Sequence, residues 1–131
     1  MTVYLLDSSA LIALVAKGHE HWERVNRWMS GVGRFAVCPV VEGALVRFLV
    51  RAGLAGKQVK PILDLLAQRP GYQFWADAVA YRDVDLDGVL GHRQVTDAYL
   101  AALARSHAPA RLATLDRGLA RAHPGAALLI P

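Results

Sequence analysis

Cysteine is nearly missing from this 131-residue chain: Cys38 stands alone, so no internal disulfide can form, and an intracellular setting is the simpler expectation. Long apolar runs are missing too. The first, from Val3 to Leu6, stops at Asp7, too short for a signal peptide or a membrane span, so a cytoplasmic protein without membrane association is expected. No repeat, low-complexity tract or Pro/Gly/Ser-rich linker occurs, which leaves residues 1–131 as one domain. Glycine is not arranged for phosphates either. Gly31 and Gly33 do not extend to G-x-G-x-x-G and there is no Walker-type run, so nothing supports a nucleotide cofactor. Lysine is scarce (Lys17, Lys57, Lys60), and so is glutamate (Glu20, Glu23, Glu42).

What is present is apolar bulk and arginine. Hydrophobic residues make up 54% and charged residues 20%, a globular balance, and a chain of this size buries roughly two-thirds of its open-chain surface. With only three lysines among 15 cations, 12 are Arg, and the net charge is +4. Guanidinium groups fork onto phosphate oxygens, so the surplus suits a phosphate-rich partner, although a solvated, Arg-biased surface would give the same count.

Strand and helix patterns alternate along the chain. Residues 3–6 read as a buried strand, followed by N-cap hydroxyls at Ser8 and Ser9 and a helix over 10–16. A second helix is expected over 21–29, a strand over 35–38, a helix from Pro39 to about residue 52 with Gly53 as its stop, and a helix over 56–68. Residues 73–75 and 78–84 are ambiguous, the latter either a short helix or a connection into a strand near 82–85. Further on, a helix over 94–107, a strand over 111–115, a short helix over 117–122 and a strand over 127–130 complete the order. This alternation predicts an α/β fold, a central parallel sheet with helices on both faces, and ligands beyond the carboxyl ends of the strands.

Four acids fall where that edge meets helix starts. Asp7 and Asp116 each end an apolar strand, where either could simply be a helix N-cap. Glu42 shares a helical stripe with Leu45, Val46 and Leu49, opposite Arg47 and Arg51, and Asp97 shares one with Leu100, Ala101 and Ala104. First-turn acids favour the helix dipole, but the dipole does not require an inward stripe. Carboxylates crowded into one half-buried cleft repel, so they must protonate or bind a cation. An all-oxygen set suits Mg²⁺ or Mn²⁺, and such ions serve phosphodiester hydrolysis, which gives the arginine surplus a substrate.

Four segments carry a resemblance: Leu5-Leu6-Asp7-Ser8-Ser9-Ala10, Cys38-Pro39-Val40-Val41-Glu42-Gly43, Val95-Thr96-Asp97-Ala98-Tyr99 and Ala113-Thr114-Leu115-Asp116-Arg117-Gly118. In this order across the whole chain, they resemble a PIN-domain ribonuclease of the VapC toxin type. The resemblance implies a parallel-sheet α/β fold, Mg²⁺-dependent cleavage of RNA, inhibition by a cognate VapB-like antitoxin and a homodimer. It implies that Asp7 and Asp97 hold the metal most directly and that Glu42 and Asp116 complete the catalytic pocket. Ser9 and Thr114 match small hydroxyl positions near the substrate, and Arg117 stands where it could reach a phosphate.

Other signals are weaker. Asp83-Val84-Asp85-Leu86-Asp87-Gly88 matches half an EF-hand loop, but Gln94 stands where the bidentate carboxylate belongs. His19-Glu20-His21 has the wrong spacing for a zinc helix, and Trp28 falls off the Trp22, Val25, Met29 stripe as an interface candidate. A haloacid-dehalogenase-like phosphatase would want a second Asp at position 9, where this chain has Ser9. The alternative function is a basic RNA-binding or partner-binding module with a vestigial acidic pocket, which leaves the inward stripes of Glu42 and Asp97 without a purpose.

Overall fold

The computed structural model describes residues 2–131. Its first unit is the strand β1 (Val3–Leu6), whose Leu5 and Leu6 are fully buried, followed by helix α1 (Ser8–Val15). The sequence offers Ser8, Ser9 and Asp7 as caps of α1. The structure gives the cap to Asp7, whose carboxylate accepts the Ala10 N–H at 2.8 Å, and both serines fall inside the helix. An aspartate at this position satisfies one orphan backbone donor and contributes about 1 kcal/mol.

Helix α2 (Trp22–Met29) leads to β2 (Arg34–Val37), α3 (Pro39–Arg51) and α4 (Gly56–Ala67). Pro39 opens α3, where its missing N–H costs nothing. Gly53 ends it in the left-handed region at φ 109°, and the N–H groups of Gly53 and Leu54 close back onto the carbonyls of Val50 and Leu49. Trp28, partly exposed, packs its ring edge-on against Tyr4, centroids 5.1 Å apart.

The ambiguous middle resolves into β3 (Tyr72–Phe74), entered through Gly71, and then a long irregular connection. No strand forms near 82–85; Tyr81–Asp83 is a single 3-10 turn, and Asp85 closes a local turn by accepting the Asp87 N–H. The half EF-hand is thus an exposed connection. A second 3-10 turn, His92–Gln94, runs into α5 (Val95–Ser106), followed by β4 (Arg111–Thr114), α6 (Arg117–Ala122) and β5 (Ala127–Leu129).

All four strand pairings are parallel, in the order β3-β2-β1-β4-β5. Parallel connections are right-handed, so the crossovers running from β1 to β3 put α1–α4 over one face, while those to β4 and β5 put α5 and α6 over the other. Central strands covered on both faces must be apolar throughout, and Leu5, Ala36, Val37, Leu112 and Ala113 are all fully buried. Strand order reverses between β1 and β4, the position where an open α/β sheet leaves a crevice beyond its carboxyl edge.

Candidate active site

Asp7 and Asp116 follow the two strands that flank this reversal. Asp7 continues β1, its N–H donating to the Ala113 carbonyl at 3.0 Å, and only 5% of the residue is exposed. A carboxylate this buried needs donors, and it has three. Oδ1 accepts the Ser9 hydroxyl and the Ala10 N–H, both at 2.8 Å, and Oδ2 accepts the Thr114 hydroxyl. Burial raises the Asp7 pKa all the same, against the lowering by these hydrogen bonds, and the Asp116 charge adds to the rise.

Ser9 and Thr114 therefore both donate to Asp7. Thr114 is fully buried, and its Oγ1 also accepts the Asp116 N–H at 2.9 Å, tying the ends of β1 and β4 together. Ser9 Oγ is 3.4 Å from the Leu115 N–H, a longer second tie across the same gap. The sequence shows both hydroxyls, but their partners become visible only once the strands pair.

Asp116 caps α6, its Oδ1 accepting the N–H groups of Gly118 (2.7 Å) and Leu119 (3.1 Å), which leaves Oδ2 open. Asp97 enters from the first turn of α5, half-buried above Ala98, Leu100 and Ala101, with no hydrogen-bond partner among the described residues. Its pKa is pushed up to about 6, first by burial and then by the charges of Asp116 and Asp7. These three carboxylates feel one another, as expected of a shared site.

Glu42 enters the edge from the strand next to β1. It lies in the first turn of α3, half-buried, and after burial the charge that raises its pKa is that of Asp77. Asp77 lies just beyond β3, two strands from Asp7, so the acids are spread along roughly 14 Å of sheet edge at about 4.8 Å per strand. Along this edge Glu42, on the helix that follows β2, stands between Asp77 beyond β3 and Asp7 beyond β1. Sequence reading missed Asp77 because β3 was ambiguous; an acid just past a strand end is the signal that would have found it.

Among the described residues, no three His, Cys, Asp or Glu side chains converge closely enough to form a ready-made metal cage. The donor set still fits a hard cation. Asp97 is free of hydrogen bonds and Asp116 keeps one oxygen open, and Mg²⁺ ordinarily keeps several waters while taking one or two carboxylates plus substrate phosphate.

Beside this group lies a cavity of about 450 Å³ bounded by the connection after β3 and by α5 and α6, with Asp97 and Asp116 in its wall. Arg93 and Arg105 also line it. Arg117, exposed at the start of α6, lines a separate shallow depression with Arg121 and Pro124.

Comparison with known proteins adds three findings. A family model described as the PIN domain matches residues 4–123. Ribonuclease VapC29 of Mycobacterium tuberculosis (strain H37Rv) is 48% identical over 132 residues, covering 100% of this chain and 98% of its own, and Ribonuclease VapC38 of the same strain is 34% identical over 88% of this chain and 86% of its own. The crystal structure of PAE2754 from Pyrobaculum aerophilum superposes with a TM-score of 0.63 at 22% identity, over 98% of this chain and 84% of that one, a likeness of fold.

Proposed function

The chain belongs to the PIN-domain family and within it to the VapC proteins, and from that premise we propose that it is a divalent-metal-dependent endoribonuclease, the toxin of a toxin–antitoxin pair. The observation that carries this reading is the meeting of Asp7, Asp97 and Asp116 at the reversal of strand order, where the Asp116 charge raises the pKa of Asp7 and the Asp7 and Asp116 charges raise that of Asp97. Mutual repulsion of that kind is relieved by a cation.

Asp7, Asp97 and Asp116 would hold Mg²⁺ or Mn²⁺, with Glu42 and its neighbour Asp77 completing the acidic edge. When bound, such an ion stabilises charge on the attacking and leaving oxygens of a phosphodiester and lowers the pKa of a water. The protein's own groups do the positioning. Three donors fix the Asp7 carboxylate in one orientation, and Thr114 sets Asp116 relative to it. An RNA substrate accounts for the arginines: among the described residues none pairs with a carboxylate within 4.0 Å, which leaves the basic surface open to phosphate.

The partner in this reading is a VapB-like antitoxin, and the resting form is a homodimer. RNA places the site of action in the cytoplasm; no helix among the described residues is long and apolar enough to cross a membrane.

The test is RNA cleavage by antitoxin-free protein with Mg²⁺ or Mn²⁺, beside the Asp7→Asn and Asp97→Asn variants. Cleavage should stop with chelator and in both variants. Equal activity in all three proteins, or activity that survives chelation, refutes the nuclease reading. If the adjacent reading frame encodes no small protein that binds and silences this one, the toxin assignment fails while the nuclease assignment stands.

A further inference from the structure

The cavity beside the acids has a cationic wall that the acidic site does not use. Arg93 and Arg105 fall on one four-residue row with Asp97, Arg93 in the 3-10 turn before α5 and Arg105 two turns beyond the acid. At about 1.5 Å of rise per residue, the two guanidinium-bearing positions lie on either side of Asp97, Arg105 roughly 12 Å along the axis from it. Neither makes an ion pair or a side-chain hydrogen bond among the described residues, although both are exposed beside carboxylates.

The facing wall is ordered. Gln94 Oε1 accepts the N–H groups of Leu90 (2.6 Å) and Gly91 (3.2 Å), and the Val89 N–H donates to the Leu86 carbonyl, so the connection lining the cavity is fixed before a ligand arrives. His123 stands at the α6 side, its pKa lowered by burial and by the Arg105 charge, which leaves Arg105 as the cation of that end. The third carboxylate of the lining, Asp85, joins Asp97 and Asp116 in repelling an anion unless a cation is bound or the guanidinium groups engage it. At about 450 Å³ the space is of the size of a small-ligand pocket, enough for a nucleotide-sized piece of a strand.

Resting on the nuclease reading above, we infer that Arg93 and Arg105 hold the phosphates of the RNA strand on the two sides of the bond cut beside Asp97, setting where along a single strand the cut falls. Two guanidinium clamps astride the acids fix the register of the strand, while the acids perform the chemistry. Phosphate contacts position a strand and carry no base identity themselves.

The experiment compares wild type with Arg93→Ala, Arg105→Ala, Arg105→Lys and, as an exposed control at the far end of α3, Arg51→Ala. Steady-state cleavage of a short unstructured RNA in Mg²⁺ should show KM raised roughly tenfold or more in each cavity alanine variant, with kcat changed far less, partial rescue by lysine and no change in the control. Thermal midpoints should match wild type, since both side chains are exposed. In the Asp97→Asn background, where RNA is held and not cut, removal of each arginine should lower the slope of log affinity against log salt by about 0.7, the value for one phosphate contact on a single strand. Unchanged KM and unchanged slope overturn the inference while leaving the nuclease reading intact. Should wild type cut no RNA, the nuclease reading falls, and the salt slopes still decide whether these arginines hold phosphate.

Discussion

Replacing Asp97 by Asn should make the metal-free protein more stable near neutrality while abolishing its activity. The unfolded chain titrates this carboxyl at 3.8, whereas in the folded site burial and the charges of Asp116 and Asp7 push it up to about 6. Between those values the folded state binds more protons than the unfolded one, so stability falls as pH rises through the window, and above about pH 6 the whole penalty is present. At about 1.4 kcal/mol per pH unit the ceiling is about 3 kcal/mol. Asp97 is only half-buried, and solvent screening of an exposed carboxylate reduces the figure to about 1–2 kcal/mol. In a domain of 131 residues, that corresponds to a rise in Tm of about 4–7 °C. The assay is thermal unfolding in chelator at about pH 7 and about pH 3, below the unperturbed aspartate value. The variant should gain at the higher pH and lose most of that advantage at the lower, where the wild-type carboxyl is mostly protonated in both states. Added Mg²⁺ should stabilise wild type more than the variant. A variant no more stable than wild type at neutral pH, or one with the same advantage at both, would refute the account of Asp97 as a destabilising charge held for a cation.

Thr114→Val, equal in shape, removes a donor to a buried carboxylate and an acceptor for the Asp116 N–H; urea unfolding at neutral pH should show a loss of about 1.5–3 kcal/mol, and a loss below about 0.5 would mean Asp7 is not held by this hydroxyl. Gly71→Ala should cost at least about 3 kcal/mol, because φ is +84° and a Cβ would sit 2.0 Å from the Gly33 carbonyl oxygen. Gly53→Ala, at φ +109° in open space, should cost only about 1–2 kcal/mol in the same measurement, so equal losses at the two sites would contradict the contact argument. The Cys38 thiol is fully buried, and its pKa is pushed up to about 11 by burial, so a thiol reagent at about pH 8 should label unfolded protein and leave native protein unmodified.

Much of the architecture was legible in the sequence because its signals are local. An apolar run ending in Asp reads as a buried strand, and Pro39 and Gly53 bracket α3 through backbone chemistry that needs no partner. The middle of the chain was not legible. β3 is three residues long with only partial burial, and the stretch around 82–85 has strand-like composition but no neighbouring strand to pair with, so it closes as a single 3-10 turn. Hydroxyls were legible as residue types only. Ser9 and Thr114 are 105 positions apart, and which carboxylate they serve depends on β1 lying beside β4.

By itself the sequence determined the α/β alternation, the placement of Asp7, Asp97 and Asp116 at strand ends or helix starts, and an excess of arginine over lysine. Each of these follows from residue identity and spacing of a few positions. Tertiary structure alone decided how the charges are grouped. Strand order set Glu42 between Asp77 and Asp7, and the four-residue row through Asp97 brought Arg93 and Arg105 into the wall of the cavity. Electrostatic interaction depends on distance through space, and that distance is fixed only when the sheet has assembled.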